Sequence, residues 1–459
     1  MYNLKVLLLA SSVILTGCIS LEPEYQRPKL NIPVNIEPSF TSLMDENKTV
    51  FILPSWTDFI VDPNMQEIIK IALEKNTDLY LTVLDIEEAK IQFGITESEL
   101  YPKVGASLSS EYSKNLQGER ALSKKYSSGI DISYELDFFG KIKNLTQADS
   151  AKFLASKELN RAAEIITIKT VAQAYLDIVY NQELLSIAEE TKSSYLNSQS
   201  IVMQKLITGS ATASDVEQAK GQVQSINIKM EKIKVEIDKN KNLLNYLTNN
   251  YTKNIDVVSV KYTPITIPKN IPSEILLSRP DVMAAEQNII AENANIGVAR
   301  AAFFPSISFN TGLSSSNESI SGLFDSSNGI WNFIPKITLP IFTGNKNNKN
   351  LELANIRKNK SIVNYEKSIQ TAFREVKDFM ALKSSIENQV NSQQAYVVTL
   401  TNILNQKQAG YKYGSLSYLN VLDAQRDLFA EKQNLLMLEI EQQKNEINLF
   451  SALGGGNIN

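Results

Sequence analysis

Three landmarks recur along this chain at nearly constant spacing, and that recurrence limits its fold more than any other feature. Pro102 matches Pro305 at an offset of 203, Gly140 matches Gly344 at 204, and Gly209 matches Gly414 at 205. Around each set the same order of patterns appears: helix, strand, strand, very long helix, turn, shorter helix. Duplication of one long unit explains a shared offset; three coincidences do not. The unit's sharpest change of character lies in "NIGVARAAFFPSISFNTGL", residues 295–313. It reads as helix to Phe304, with Ile296, Val298 and Phe303 among its apolar positions. After Pro305 it alternates, with Ile307, Phe309, Thr311 and Leu313 on one side. Proline lacks a donor and biases the residue before it towards extended geometry, so the helix ends there. "GITESELYPKVGASLSS", residues 94–110, makes the same change at Pro102.

Of the fourteen prolines, none lies between Pro102 and Pro264 and none follows Pro340. Those stretches permit long helices. Residues 141–207 carry an apolar stripe through Ala151, Leu154, Leu159, Ala162, Ile165, Ile166, Ala172, Leu176 and Val179. At 1.5 Å per residue this helix reaches roughly 100 Å, far beyond the globular norm and suggestive of a coiled coil. Residues 345–409 form its counterpart, and shorter helices are expected over 213–250 and 417–452. Before each long helix lies a strand pattern. "SSGIDISYELDFFG" places Ile130, Ile132, Tyr134 and Leu136 on one face; "WNFIPKITLPIFTG" alternates Trp331, Phe333, Pro335, Ile337, Leu339 and Ile341. Polar linkers over 113–125 and 314–329 join these to the strands that open after Pro102 and Pro305.

Four strands of about ten residues suit tilted passage through an outer membrane. Tyr101, Tyr112, Phe303, Phe304, Trp331 and Phe342 stand near their ends, as interfacial girdles do. The same alternation also fits a small soluble sheet capping a helical bundle. Four strands cannot close a barrel, and open edges are not tolerated in lipid. If these strands span a membrane, several chains share one barrel: two copies give eight strands, three give twelve.

Composition removes most chemistry. The chain has no histidine, so the commonest general base and metal ligand is missing. Its only cysteine is Cys18, which excludes a disulfide framework or a thiolate metal cluster. With 46 basic and 50 acidic residues, net charge -4, nothing draws it to nucleic acid. Hydrolysis by carboxylates alone is the one enzyme option, and no motif supports it; no cofactor and no metal site is expected. Cys18 has its own reading. "MYNLKVLLLASSVILTGC" has an early lysine, an apolar run and Leu-Thr-Gly-Cys, which resembles a bacterial lipoprotein processing box. Cleavage there leaves Cys18 to carry acyl chains, a covalent lipid (palmitate among them) that anchors firmly. Ile19 is not the aspartate that commonly retains lipoproteins at the inner membrane, so the destination tilts outward.

Two long segments, "RPDVMAAEQNIIAENANIGVARAAFFPSISF" (279–309) and "YKYGSLSYLNVLDAQRDLFAEKQNLL" (411–436), resemble the most diagnostic stretches of the TolC-like outer-membrane efflux proteins. The lipoprotein box, "PEYQRP" (23–28) and the terminal "ALGGG" (452–456) are similar to the lipoprotein branch serving resistance-nodulation-division multidrug pumps. The resemblance implies a mainly α chain with a membrane β-barrel. Three chains build a trimeric twelve-stranded barrel, four strands each, continued by a long α-helical coiled-coil tunnel across the periplasm. A mixed α/β equatorial region comes from segments near 40–60, 251–275 and the C-terminus. On this reading 1–17 is a lipoprotein signal peptide and 18–64 a lipidated extended and equatorial part; 65–264 and 265–459 hold the two repeats.

The resemblance also assigns sites. The periplasmic end closes where each helix–turn–helix curls inward, near Gly209 and Gly414. A gate latch falls on Asp215 and Tyr411; its usual strengthening arginine falls on Leu416, so here the latch is weaker. Two acidic constriction positions fall on Asn420, which departs from the pattern, and Asp423. A ring of three Asp423 carboxylates favours cations, and Leu419 and Leu422 add an apolar collar. The tips at Thr208, Gly209, Ser210 and Tyr413, Gly414, Ser415 meet a periplasmic adaptor. The implied protein is a passive exit duct for drugs and other small toxic compounds. Its partners are that adaptor and an inner-membrane resistance-nodulation-division transporter. It sits in the outer membrane of a Gram-negative bacterium and extends into the periplasm. A protein-secretion duct shares the architecture, and a lipid-anchored coiled-coil scaffold without a pore is the alternative of another class.

Overall fold

The computed structural model describes residues 20–29, 35–36, 53–114, 122–251 and 271–456. The signal peptide, Cys18, and the parts of the expected equatorial region at 40–52 and 252–270 lie outside the described residues. In chain order the elements are β1 (Asn35–Ile36), α1 (Trp56–Phe59), α2 (Pro63–Lys75), α3 (Thr77–Ser98), β2 (Lys103–Lys114) and β3 (Leu122–Leu136). There follow α4 (Lys141–Ile207), α5 (Ala213–Leu247), β4 (Ile271–Pro272) and α6 (Pro280–Ala301). The chain ends with β5 (Ser306–Asn317), β6 (Gly329–Thr338), α7 (Lys346–Lys412) and α8 (Tyr418–Ala452). The order helix, strand, strand, long helix, helix occurs twice. Each long helix has 67 residues and each following one 35. All four glycine landmarks adopt positive φ: Gly140 +67°, Gly344 +58°, Gly209 +73° and Gly414 +84°. They recur because each direction change needs a left-handed residue, which costs glycine no Cβ clash.

Several boundaries differ from expectation. The first repeat opens with two helices rather than one, because Asn76 intervenes. Its side chain accepts from the Leu79 amide at 2.9 Å and donates to the Leu247 carbonyl at 2.8 Å, stopping α2 and capping α3. The strands hold 12, 15, 12 and 10 residues, so they take up part of both expected linkers. β6 ends at Thr338, leaving Leu339 and Ile341 outside the ladder.

The chain divides into two compact units. One comprises Met1–Leu30, Leu84–Glu158 and Met283–Lys367. It holds a four-stranded antiparallel sheet in the order β2-β3-β5-β6, and an alanine contact of Ala148 and Ala151 with Ala291 and Ala294. The other comprises Asn31–Val83, Leu159–Val282 and Ser368–Asn459. Its largest core gathers α1, α2, α4, α5 and α8 around Tyr175, Leu176, Ile69 and Leu244, with Phe59 stacked on Phe450 at 4.5 Å. Of the expected α4 stripe, Ala172, Leu176 and Val179 are buried, whereas Leu154, Leu159 and Ile166 are exposed in the single chain. Arg279, buried at the entry to α6, fastens Asp281, Glu375 and the Ala452 carbonyl at 2.7–3.0 Å.

Candidate functional site

Two features are the candidates for function: the faces of the sheet and the paired helix tips. Directly opposed residues of an antiparallel ladder share a face. The register Val104↔Ile132, Ala106↔Ile130, Ile130↔Leu313 and Leu313↔Trp331 therefore gathers one apolar face across all four strands. Leu108, Tyr134, Phe309, Phe333 and Ile337 lie on it too. Val104 (70%), Leu108 (77%) and Trp331 (68%) are open on this face. The opposite face carries Ser107, Ser109, Asp131, Ser133, Ser308 and Asn310. β6 departs from the rule with Ile330 and Ile334 on the polar side, and β2 and β3 carry Lys114 and Lys124 at the far end of the apolar side. Apolar-out, polar-in alternation is the pattern of a strand set that faces lipid on one side and water on the other. Pro335 sits in β6, an edge strand, the position in a sheet where proline is tolerated. Among the described residues β2 and β6 are both left with an unpaired edge.

Each tip turns by the same device. The Ser210 amide donates to the Lys205 carbonyl at 2.7 Å and Gly209 to Leu206 at 3.0 Å; Ser415 donates to Gly410 at 2.9 Å and Gly414 to Tyr411 at 3.1 Å. This paired bonding closes a helix end through a left-handed residue. The turn residues Thr208, Gly209, Ser210, Tyr413, Gly414 and Ser415 are all exposed. The next helices start differently. Thr212 and Asp215 form a reciprocal capping box on α5, the Asp215 carboxylate accepting from the Thr212 amide and hydroxyl at 2.9 and 2.8 Å. Ser417 makes no backbone cap on α8; its hydroxyl accepts from Asn420 Nδ2 at 2.9 Å. Thr212 and Ser417, and likewise Asp215 and Asn420, stand 205 residues apart, the offset of Gly209 and Gly414. Asn420 thus occupies the repeat equivalent of Asp215.

The expected latch pair is not joined within the chain. Asp215 spends its carboxylate on Thr212. The Tyr411 ring lies 5.7 Å from Tyr418 and under Lys205 Nζ at 4.9 Å. Both tyrosine hydroxyls are buried and without a partner among the described residues. Burial, followed by the charge of Asp215, raises the Tyr411 pKa; burial pushes Tyr418 up to about 12. Leu416 folds its side chain over Gly410, where a Cβ would meet it at 2.7 Å. Asp423 is exposed, with Arg426 Nη1 4.0 Å away one turn along. Leu419 is exposed and Asn420 half-buried beside it. Leu422 corrects the expected collar: it is 2% exposed and packs with Val202, Val216 and Tyr418 in the chain's own core, on the helix face opposite to solvent. Arg426 and Lys205 were not singled out from sequence. Arg426 was legible as the residue at i+3 from Asp423; Lys205 was not, because its neighbour comes from the other repeat.

The family model described as outer membrane efflux protein matches residues 68–250 and 271–455. The chain is 43% identical over 459 residues to the probable outer membrane lipoprotein SilC of Salmonella typhimurium, covering 99% of each. It is 41% identical to the cation efflux system protein CusC of Escherichia coli strain K12, over 98% of this chain and 99% of that one. A crystal structure of CusC superposes with a TM-score of 0.88 at 40% identity, covering 95% of this chain and 100% of that one. Two family matches in tandem, relatives aligned end to end and the strand faces lead to one assignment: this chain belongs to the outer membrane efflux protein family.

Proposed function

We propose that three copies of this chain share one twelve-stranded barrel and form the exit duct of a tripartite efflux system, supplied by a periplasmic adaptor and an inner-membrane resistance-nodulation-division transporter. One observation carries this reading: a four-stranded sheet with one apolar face, one polar face and two unpaired edges. Backbone edges in lipid must find partners, and neighbouring copies supply them. A duct needs a lining and a gate and no catalytic group, so the protein is read as a passive conduit and not as an enzyme. Cys18 is the lipidation site. The exposed tips at 208–210 and 413–415 are the adaptor contacts.

The gate lies at those tips. Asp215 holds one tip through its capping box and Tyr411 the other through its packing on Tyr418, and Asp423, flanked by Asn420 and Leu419, forms the constriction ring. Arg426 partly offsets each Asp423 charge, so cation preference is moderate. Drugs and other small toxic compounds are one cargo class. The name of CusC supports metal cations as another, and an acidic ring suits cations. Planar-bilayer conductance tests the reading. Wild type is expected to give small, cation-preferring steps; Asp423→Ala loses that preference and Arg426→Ala strengthens it. Purified protein that neither conducts nor forms trimers sinks the duct.

A further inference from the structure

The segment "SLEPEYQRPK", residues 20–29, contains the "PEYQRP" motif and is held against α6 and the start of α4 by a row of polar contacts. Ser20 Oγ donates to Asn144 Oδ1 at 2.8 Å, and Arg300 Nη1 to the Leu21 carbonyl at 3.1 Å. Asn293, which is fully buried, donates through Nδ2 to Glu22 Oε1 at 2.9 Å and to the Pro23 carbonyl at 2.7 Å. Lys358 Nζ donates to its Oδ1 at 2.6 Å. Glu286 closes the far end: Arg27 donates through Nε and Nη2, each at 2.7 Å, and the Tyr25 hydroxyl at 3.1 Å. Gly297 leaves room for the strap, since a Cβ there would stand 2.3 Å from Asn144 Nδ2 and 3.0 Å from the Glu22 amide. A buried amide whose donors go only to this segment, and a helix glycine notched for its backbone, mark a built groove.

We propose that residues 20–29 are a docking strap, locked by Arg27 and Glu286, that fixes where the lipid anchor sits. The proposal rests on Cys18 being acylated. Cys18 precedes Ser20 by two residues, a reach of at most about 7 Å. Ser20 is bound to Asn144, in the first turn of α4, just after Phe139, whose ring stacks on Phe304 at 4.7 Å. A strap held at Ser20 thus keeps the anchor within that reach of the first turn of α4.

Two variants of the full-length lipoprotein test this in membranes. Cleavage by a glutamate-specific protease at Glu24–Tyr25 requires the strap to open. Arg27→Glu sets two carboxylates face to face, and the new one precedes Pro28, a bond such proteases spare. Cleavage is expected to quicken about ten-fold or more, as loss of a bidentate charged pair implies. The reversed pair Arg27→Glu with Glu286→Arg restores slow cleavage. Unchanged cleavage in the single variant, or no rescue in the reversed pair, overturns the lock. The second variant inserts a flexible spacer of about ten Gly and Ser residues between Ile19 and Ser20, which keeps lipid and lock but frees the anchor. Conducting trimers per unit of membrane protein should fall about three-fold or more, as the anchor's effective concentration at the start of α4 drops. No fall overturns the positioning role. Palmitate labelling of wild type separates the two readings: absence of label removes the anchor, while the protease result still decides whether the strap is locked.

Discussion

Tyr418 buries a hydroxyl that has no partner among the described residues, in a side chain only 2% exposed. Leaving such a group dry costs about 1–3 kcal/mol, so Tyr418→Phe should raise the stability of the tip by about 1 kcal/mol, measured by thermal unfolding. Its titration gives a second expectation. The folded pKa is raised to about 12 from the ordinary 10.0 by burial, with Tyr411 adding to it. Its contribution is fully present below pH 10 and is lost as pH rises through about 12. The slope approaches 1.4 kcal/mol per unit in that window. Wild type should lose tip stability there faster than Tyr418→Phe, followed by tyrosinate absorbance. Arg279 is the opposite kind of residue, buried with four of its five N–H donors answered by Asp281, Glu375 and the Ala452 carbonyl. Arg279→Ala should cost about 3 kcal/mol, the scale of hydrogen bonds to charged groups, read from the denaturation midpoint. The family resemblance marked Tyr411 as a tip residue and did not mark Tyr418. It did not show that their hydroxyls are dry, because that depends on Val202, Val216 and Leu422 closing around them.

At the scale of elements, the two tips share a turn but not a cap. Thr212-x-x-Asp215 closes its box, whereas Ser417-x-x-Asn420 ties side chain to side chain and leaves α8 uncapped. Asn420→Asp should install the missing box and stabilise α8 by about 1 kcal/mol, seen as slower amide exchange in its first turn. The strands allow a sharper contrast. Leu108 lies on the apolar face and Ser107 beside it on the polar face. Leu108→Lys should cost about 2–4 kcal/mol in membranes, while Ser107→Lys costs close to nothing, compared by unfolding in vesicles. Helix and strand identity was legible from sequence because the proline and glycine landmarks mark where periodicity changes. The break at Asn76 was not, since its cap is completed by the Leu247 carbonyl, 171 residues away.

At the scale of the whole molecule, the sheet order leaves β2 and β6 as edges within one chain. Cysteines placed on these two edges should cross-link between chains and not within one, in a ladder that stops at trimer. Cross-links confined to single chains would count against a shared barrel. The sequence by itself determined the duplication, the four strands with their apolar faces, the length of the long helices and the positions of the turns. Each of these is written in local spacing: period two, period 3.6, and the backbone limits of proline and glycine. Only the tertiary structure decided that Leu422 belongs to the core, that Asp215 caps its own helix and leaves Tyr411 without that bond, and that residues 20–29 lie in a groove. Those outcomes depend on which side chains from distant parts of the chain arrive at one place, and local periodicity carries no record of that.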